Sequence, residues 1–147
     1  MRYQPSSTNV AKKVAIWSRS DFLGSRYKLV IADVALPAAC YAEAQGFTLH
    51  GDYLYFLSGH QVASPCPGTQ TSSAAASSLI KYNWVTKTIE QTANTAAFWD
   101  LNYREPEGMA IQMVNGQPRL AFGFASRSDC TDAGRRLVNI AYKAWGA

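Results

Sequence analysis

The segment from Asn94 to Glu107 carries the residue types that bind sugars. Aromatic rings stack on the apolar C–H faces of sugar rings, and carboxylate and amide groups hydrogen-bond to sugar hydroxyls. An arginine guanidinium can also form two parallel bonds to a phosphate or a carboxylate. His60, which follows an apolar run into another long segment, is expected to lie beside this site. The other candidate ligand-binding residues are Trp99, Asp100, Asn102, Tyr103 and Arg104.

Glu105 and Glu107 suggest a second chemistry, because a pair of carboxylates can hydrolyse a glycosidic bond. Two residues apart on an extended segment, they would point the same way, roughly 6–7 Å apart. Pro106 distorts that segment, and no second acidic cluster in the sequence supports the pair. A structural interpretation is simpler: Glu107 precedes Gly108 and can accept backbone N–H bonds or pair with Arg104. Glycoside hydrolysis is therefore the alternative to binding, with Glu105 and Glu107 as its catalytic candidates.

The charge of the chain favours an anionic partner without indicating nucleic acid. Its 147 residues carry a net charge of +4 and only 16% charged residues. A positive surface attracts phosphate-rich or acidic polymers. The basic residues are scattered, Lys81 and Lys143 among them, and no run of five occurs, so nucleic-acid binding is not supported. Low charge and abundant aromatic residues are typical of β-rich extracellular or virion proteins.

The cysteines and histidines do not form a metal-binding pattern. Cys40, Cys66 and Cys130 contain no C-x-x-C pair, and only His50 and His60 could complete a site, so we expect no metal and no cofactor. No apolar stretch approaches 18 residues, which excludes a membrane-spanning helix by sequence. The N-terminal residues 1–13 lack the apolar core of a secretory signal. If the protein is exported, we expect that signal to lie elsewhere.

The remaining sequence predicts an all-β, antiparallel fold. Gly51-Asp52 and Asn115-Gly116 are hairpin turn signals between β-type runs. The run 53–57 is apolar on both faces, which predicts a strand buried on both sides. Residues 18–25 are predicted to form a turn, and residues 42–45 a helical turn. The predicted strands are 13–17, 27–34, 47–50, 53–57, 79–84, 109–114, 119–124 and 135–143, with another near Thr88.

Two of these hairpins align as an internal repeat. Gln45-Gly46-Phe47 corresponds to Glu107-Gly108-Met109, and each hairpin is followed by a polar segment and a third strand. Four antiparallel strands per unit of ~40–50 residues are the signature of a β-propeller blade. The chain would hold one full blade and two partial ones, in a single domain over 13–147 after a lead-in over 1–12. Because a propeller needs ~4–8 blades, another chain or a missing segment would have to complete it.

Several segments resemble a known family. Residues 104–111, 120–125 and 135–143 resemble the closing part of a β-propeller domain, and 45–55 looks like another of its strand entrances. That domain occurs in phage receptor-binding (tail) proteins, in teichoic-acid-biosynthesis-protein-C-like proteins and in secreted antibacterial proteins of the helveticin type. The resemblance implies attachment to a bacterial surface glycan or a teichoic-acid-like wall polymer. It also implies an extracellular or virion-associated location.

Up-and-down strands would place three long segments, 59–78, 94–107 and 125–134, on one rim. Binding residues concentrate in such loops on rigid scaffolds. The three cysteines would share that rim, so a Cys66–Cys130 or a Cys40–Cys66 disulfide, or none, remains open. The leading hypothesis is a carbohydrate-binding receptor module. Its rivals are a propeller glycoside hydrolase and a structural domain that a partner chain closes.

Overall fold

A computed structural model describes residues 12–28, 30–41, 43–59, 77–95, 97–98, 104–127 and 136–144. Contacts between Cα atoms group the chain into two units, 1–41 and 42–147, and each is described by itself. The predicted division into a lead-in and one domain remains a prediction. Among the described residues, no helix has the length and apolar character needed to cross a membrane.

The first unit contains a two-stranded antiparallel ribbon. Strand β1 (Lys13–Ile16) pairs with β2 (Ala32–Ala35), and a short helix α1 (Arg19–Leu23) lies between them in sequence. The turn predicted over 18–25 is therefore partly helical, because the Ser18 hydroxyl accepts a bond from the Asp21 N–H and caps the helix.

The strand predicted over 27–34 begins later in the structure, at Ala32, the first residue of β2. Residues around Tyr27 form a turn, and the Tyr27 carbonyl accepts a bond of 2.9 Å from the Trp17 indole N–H. A 3₁₀ turn occurs at Ala38–Cys40, upstream of the helical turn predicted over 42–45, and a strand already begins at Ala44. The 3₁₀ turn ends at Cys40, a buried free thiol whose pKa is raised by burial.

The second unit consists of two antiparallel sheets, which confirms the all-β prediction. The four-stranded sheet has the order β3 (Ala44–His50), β4 (Tyr53–Gly59), β5 (Ser77–Asn83) and β6 (Thr88–Asn94). The three-stranded sheet has the order β7 (Glu105–Val114), β8 (Gln117–Arg127) and β9 (Arg136–Ala144). Neighbours in each sheet are consecutive in sequence, as antiparallel hairpins require.

The core of this unit lies between the two sheets. Alternate residues of β4 and β8 form a buried cluster, and partly buried side chains from β5, β7 and β9 pack against it. The central strand β4 is buried on both faces, as its apolar pattern predicts. The cluster consists of Tyr55, Leu57, Leu120, Phe122 and Phe124.

The outer strands of the two sheets differ in character. Every residue of β6 is exposed, and its side chains are mostly polar. The last strand, β9, instead exposes Val138, Ile140 and Tyr142, which lie on one face. Polar residues protect a sheet edge from further pairing, and β9 lacks that protection along this row.

Candidate functional site

Most of the predicted ligand-binding residues lie outside the described part of the chain. These are His60, Trp99, Asp100, Asn102 and Tyr103, and their roles stay predictions. Cys66 and Cys130 are likewise not described, so a Cys66–Cys130 disulfide stays a prediction, whereas the free thiol of Cys40 contradicts the Cys40–Cys66 alternative. Arg104, Glu105 and Glu107 are described, and they show how the segment before β7 is held.

Arg104 points inward and joins three parts of the second unit. Its side chain is buried, with only 3% of the residue exposed. Its Nη2 donates to the Ser77 hydroxyl and to the Thr95 carbonyl, each at 2.6 Å, while its Nε donates to the Ala97 carbonyl. The guanidinium carbon lies 4.6 Å from the centre of the Phe124 ring. Arg104 therefore ties the start of β5 and the end of β6 to the start of β7.

Burial of Arg104 has an electrostatic consequence. Loss of water lowers the pKa of its guanidinium, although the group stays a cation because its ordinary pKa is so high. Its Nη1 is buried without a hydrogen-bond partner among the described residues. The contacts made by this side chain position the backbone on either side of the undescribed residues 99–103.

Glu105 and Glu107 are both paired with one cation. The Nη1 of Arg136 lies 3.6 Å from a carboxylate oxygen of Glu105 and 4.0 Å from one of Glu107. The sequence suggested that Glu107 could pair with Arg104, and this is wrong, since Arg104 donates to the Ser77 hydroxyl and to the Thr95 and Ala97 carbonyls. Arg136 thus links β9 to the start of β7. This arrangement supports a structural role for the two carboxylates, and their catalytic role stays a prediction without further support.

A cleft of about 230 Å³ opens between the two sheets. We call it the intersheet cleft. Apolar side chains from both sheets contribute to its wall, as do ammonium groups from β5 and β9, amide groups from β6 and the hydroxyl of Thr95, which follows β6. The apolar lining residues include Leu79, Ala93, Leu120 and Phe122, and the polar ones include Lys81, Gln91, Asn94, Thr95 and Lys143.

The intersheet cleft carries more positive than negative charge. Lys81 is paired, since its Nζ lies 3.1 Å from a Glu90 carboxylate oxygen and 3.9 Å from the centre of the Tyr53 ring. Lys143 makes no ion pair with any residue in the described ranges and is exposed. Tyr55 stays neutral, because desolvation, aided by Tyr53 and Glu90, raises its pKa to about 12.

Sequence motifs do not indicate this cleft. Lys81 and Lys143 are far apart in the chain and belong to no motif, so they counted only as scattered basic residues. They line one cleft because β5 and β9 belong to sheets that pack face to face. A signal was present in the alternation of β5, where Lys81 shares a strand face with the apolar Leu79. A charged residue on the strand face that otherwise points into the protein usually has an ion-pair partner or a function.

The described residues contain no group of three or more His, Cys, Asp or Glu side chains that could hold a metal ion. The arrangement instead offers hydrogen-bond donors and an ammonium, that of Lys143, with no ion-pair partner among the described residues, beside apolar and aromatic walls. Such a site can bind a small polar molecule and orient it.

No protein-family model matches the sequence, and no curated protein matches it. Among solved structures, the chain is similar to the tail fiber of Staphylococcus aureus phage P68, with a TM-score of 0.67 and 18% sequence identity. The similarity covers 92% of this chain and 26% of the tail fiber, so the chain spans about a quarter of that protein's length. At this identity the likeness shows a shared fold.

Proposed function

We propose that this chain is part of a β-propeller-type receptor-binding module that attaches a virion or secreted protein to a bacterial surface carbohydrate or wall polymer. The observation that carries the proposal is the fold shared with part of a phage tail fiber over 92% of the chain. The two sheets would be consecutive blades, and further blades would come from another segment or chain. The positive net charge suits an anionic wall polymer, including one of the teichoic-acid type.

The ends of the described strands support a common rim. β4 ends at Gly59 beside Ser77 of β5, and β8 ends at Arg127 beside Arg136 of β9. The bonds of Arg104 bring the start of β7 to the Ser77 end of the four-stranded sheet. The described residues Gly59, Ser77, Arg104, Arg127 and Arg136, which flank the segments 60–76, 99–103 and 128–135 in sequence, therefore lie at this side of the second unit. In the proposal, His60, Trp99, Asp100, Asn102 and Tyr103 contact the polymer, and Arg104 holds the backbone beside them.

Co-sedimentation with intact bacteria and with their purified walls tests this function. The labelled chain should sediment with at least one member of a panel that includes Staphylococcus aureus. Trp99→Ala and Tyr103→Ala should each reduce retention about tenfold, since stacking aromatic residues dominate such contacts. Trp84→Ala is the matched control, because Trp84 lies in the β5–β6 turn, where its indole N–H bonds to the Gly51 carbonyl.

Folding of each variant is checked by circular dichroism. Undiminished retention of both Trp99→Ala and Tyr103→Ala would contradict the rim assignment. Failure of the folded parent chain to sediment with any member would contradict the proposed function.

A structural role is the second candidate, and strand β9 favours it. Among the described strands, the second sheet has three where its neighbour has four, and β9 pairs only with β8. Val138 is 81% exposed and Ile140 55% exposed. A partner strand that added to β9 would cover backbone groups and this apolar row. Light scattering tests the role: a larger assembly in solution supports it, and a stable monomer of 16.1 kDa contradicts it.

A further inference from the structure

We infer that the intersheet cleft is a binding site for one small anionic sugar unit, such as a sugar phosphate or a sugar acid. Its lining residues belong to β4, β5, β6, β8 and β9 and include Thr95, and none of them is among the ligand-binding residues predicted from the sequence. The inference deepens the proposed function by naming a ligand class, and it rests on that function only for where the ligand comes from.

The size of the cleft sets the size of the ligand. Pockets for drug-sized molecules measure about 300–1,000 Å³. At about 230 Å³, the intersheet cleft is smaller, so it accommodates a single sugar-sized unit and not a folded peptide or a duplex. Because the cleft is partly open to solvent, a unit within a longer polymer can enter while its neighbours stay outside.

The charge of the cleft sets the charge of the ligand. Two ammonium groups, Lys81 and Lys143, line it, and among the described residues only Lys81 has a carboxylate partner, Glu90. The charge of Lys143 is therefore left without a counterion in the part of the chain that the structure describes. Lysine binds phosphate and carboxylate as a compact charge with three donors. The cleft walls are largely apolar, and a charge–charge contact is stronger beside such walls than in open water.

The uncharged lining fits the remainder of a sugar. Tyr55, Leu120 and Phe122 offer apolar and aromatic surface to C–H groups. The side-chain amides of Gln91 and Asn94 provide both donors and acceptors for hydroxyl groups. A fully apolar ligand would leave these amides and the ammonium of Lys143 unused, so the combination favours a polar, anionic ring.

The experiment is a titration of the full chain followed by ¹H–¹⁵N NMR, with four separate probes. Glucose 6-phosphate and glucuronate carry the two kinds of anion, glucose is the neutral match, and inorganic phosphate is the anion alone. We expect at least one sugar anion to shift the amide signals of Gln91, Asn94 and Leu120. Its affinity should exceed that of glucose by about tenfold or more, which corresponds to one charge-assisted hydrogen bond. The two sugar anions distinguish phosphate from carboxylate as the preferred group.

Substitutions assign the effect to the cleft. Lys143→Gln should weaken binding about tenfold, and Lys81→Gln should also weaken it. Lys87→Gln is the matched control, since Lys87 is an exposed lysine in the β5–β6 turn and does not line the cleft. Lys143 and Lys87 are both exposed, so these two variants are expected to fold.

Three results would overturn the inference: no shift of lining signals with either sugar anion, equal affinity for glucose, or unchanged affinity of Lys143→Gln. The outcome is separable from that of the proposed function. Binding of a sugar anion by a chain that no bacterium or wall retains would support this inference and contradict the receptor role. Wall retention without sugar-anion binding would contradict this inference and support the receptor role.

Discussion

Gly46 and Gly108 bring the backbones of β3 and β7 into direct contact. A Cβ atom added to Gly46 would lie 2.7 Å from the Cα atom of Gly108 and 2.9 Å from the backbone nitrogen of Met109. Each glycine follows a bulge, where the register shifts between Ala44 and Gly46 in one sheet and between Pro106 and Gly108 in the other. The two strand entrances that align in the sequence thus lie in contact with each other.

This contact predicts unequal effects for two similar substitutions. Gly46→Ala should lower the free energy of unfolding by about 1–3 kcal/mol, because the new methyl group meets backbone atoms that cannot rotate away. Gly108→Ala is the matched control, since a Cβ there has no atom within 4 Å, and it should change stability by less than about 1 kcal/mol. Urea unfolding of the two variants measures the difference. Equal destabilisation by the two substitutions would contradict a steric clash that occurs only at Gly46.

Replacement of Arg104 by lysine keeps the positive charge, yet it should lower the stability of the protein. Arg104→Lys should lower the free energy of unfolding by about 2–4 kcal/mol, because one ammonium cannot serve the Ser77 hydroxyl and the Thr95 and Ala97 carbonyls together. Arg26→Lys is the control, as Arg26 forms an exposed pair with Asp21 and should cost about 1 kcal/mol or less. Chemical unfolding measures both variants. A stable Arg104→Lys protein would contradict the positioning role.

Glu90 predicts a dependence of stability on pH. The Asn83 amide, followed by the Lys81 ammonium, holds the pKa of Glu90 below its ordinary value of 4.5. A carboxyl group whose pKa is lowered in the folded state stabilises the protein at a pH above the ordinary pKa of the group. That stabilisation is lost as the pH falls through the pKa of the folded state. The free energy of unfolding, measured from about pH 7 down to about pH 3, should therefore fall less steeply in Glu90→Gln than in the parent chain.

Asp21 provides the comparison for that measurement. Its pKa is also lowered, first by the Ser18 hydroxyl and then by Arg26, so it titrates in the same acidic range but lies in the first unit. Asp21→Asn should leave the contribution of Glu90 intact. Parallel pH profiles for the parent chain and Glu90→Gln would contradict the role assigned to the Asn83 and Lys81 contacts.

Local patterns predicted much of the second unit. The turns at Gly51-Asp52 and Asn115-Gly116 formed hairpins, with positive φ angles at Gly51, Asn115 and Gly116, and the strands they join lie close to the predicted bounds. Strand ends were less well predicted. β7 already begins at Glu105 and β8 continues to Arg127, since cross-strand pairing extends both beyond their apolar runs.

Contacts between distant residues could not be predicted from local patterns. Arg104 has the type and neighbours of a surface ligand residue, yet Ser77, 27 positions away, supplies one of its acceptors. Arg136 takes the place expected of Arg104 beside Glu107 because β9 returns along β8. The intersheet cleft depends in the same way on how two sheets pack, which no single stretch of sequence specifies.

Removal of the carbohydrate from bacterial walls is the most direct test of whether the chain binds that carbohydrate. Purified bacterial walls are divided, one half is stripped chemically of its carbohydrate polymers, and the labelled chain is sedimented with each half. We expect the chain to sediment with the intact walls and to stay in solution with the stripped ones. Equal retention by the two preparations, or retention by neither across the panel, would contradict a carbohydrate-directed receptor module.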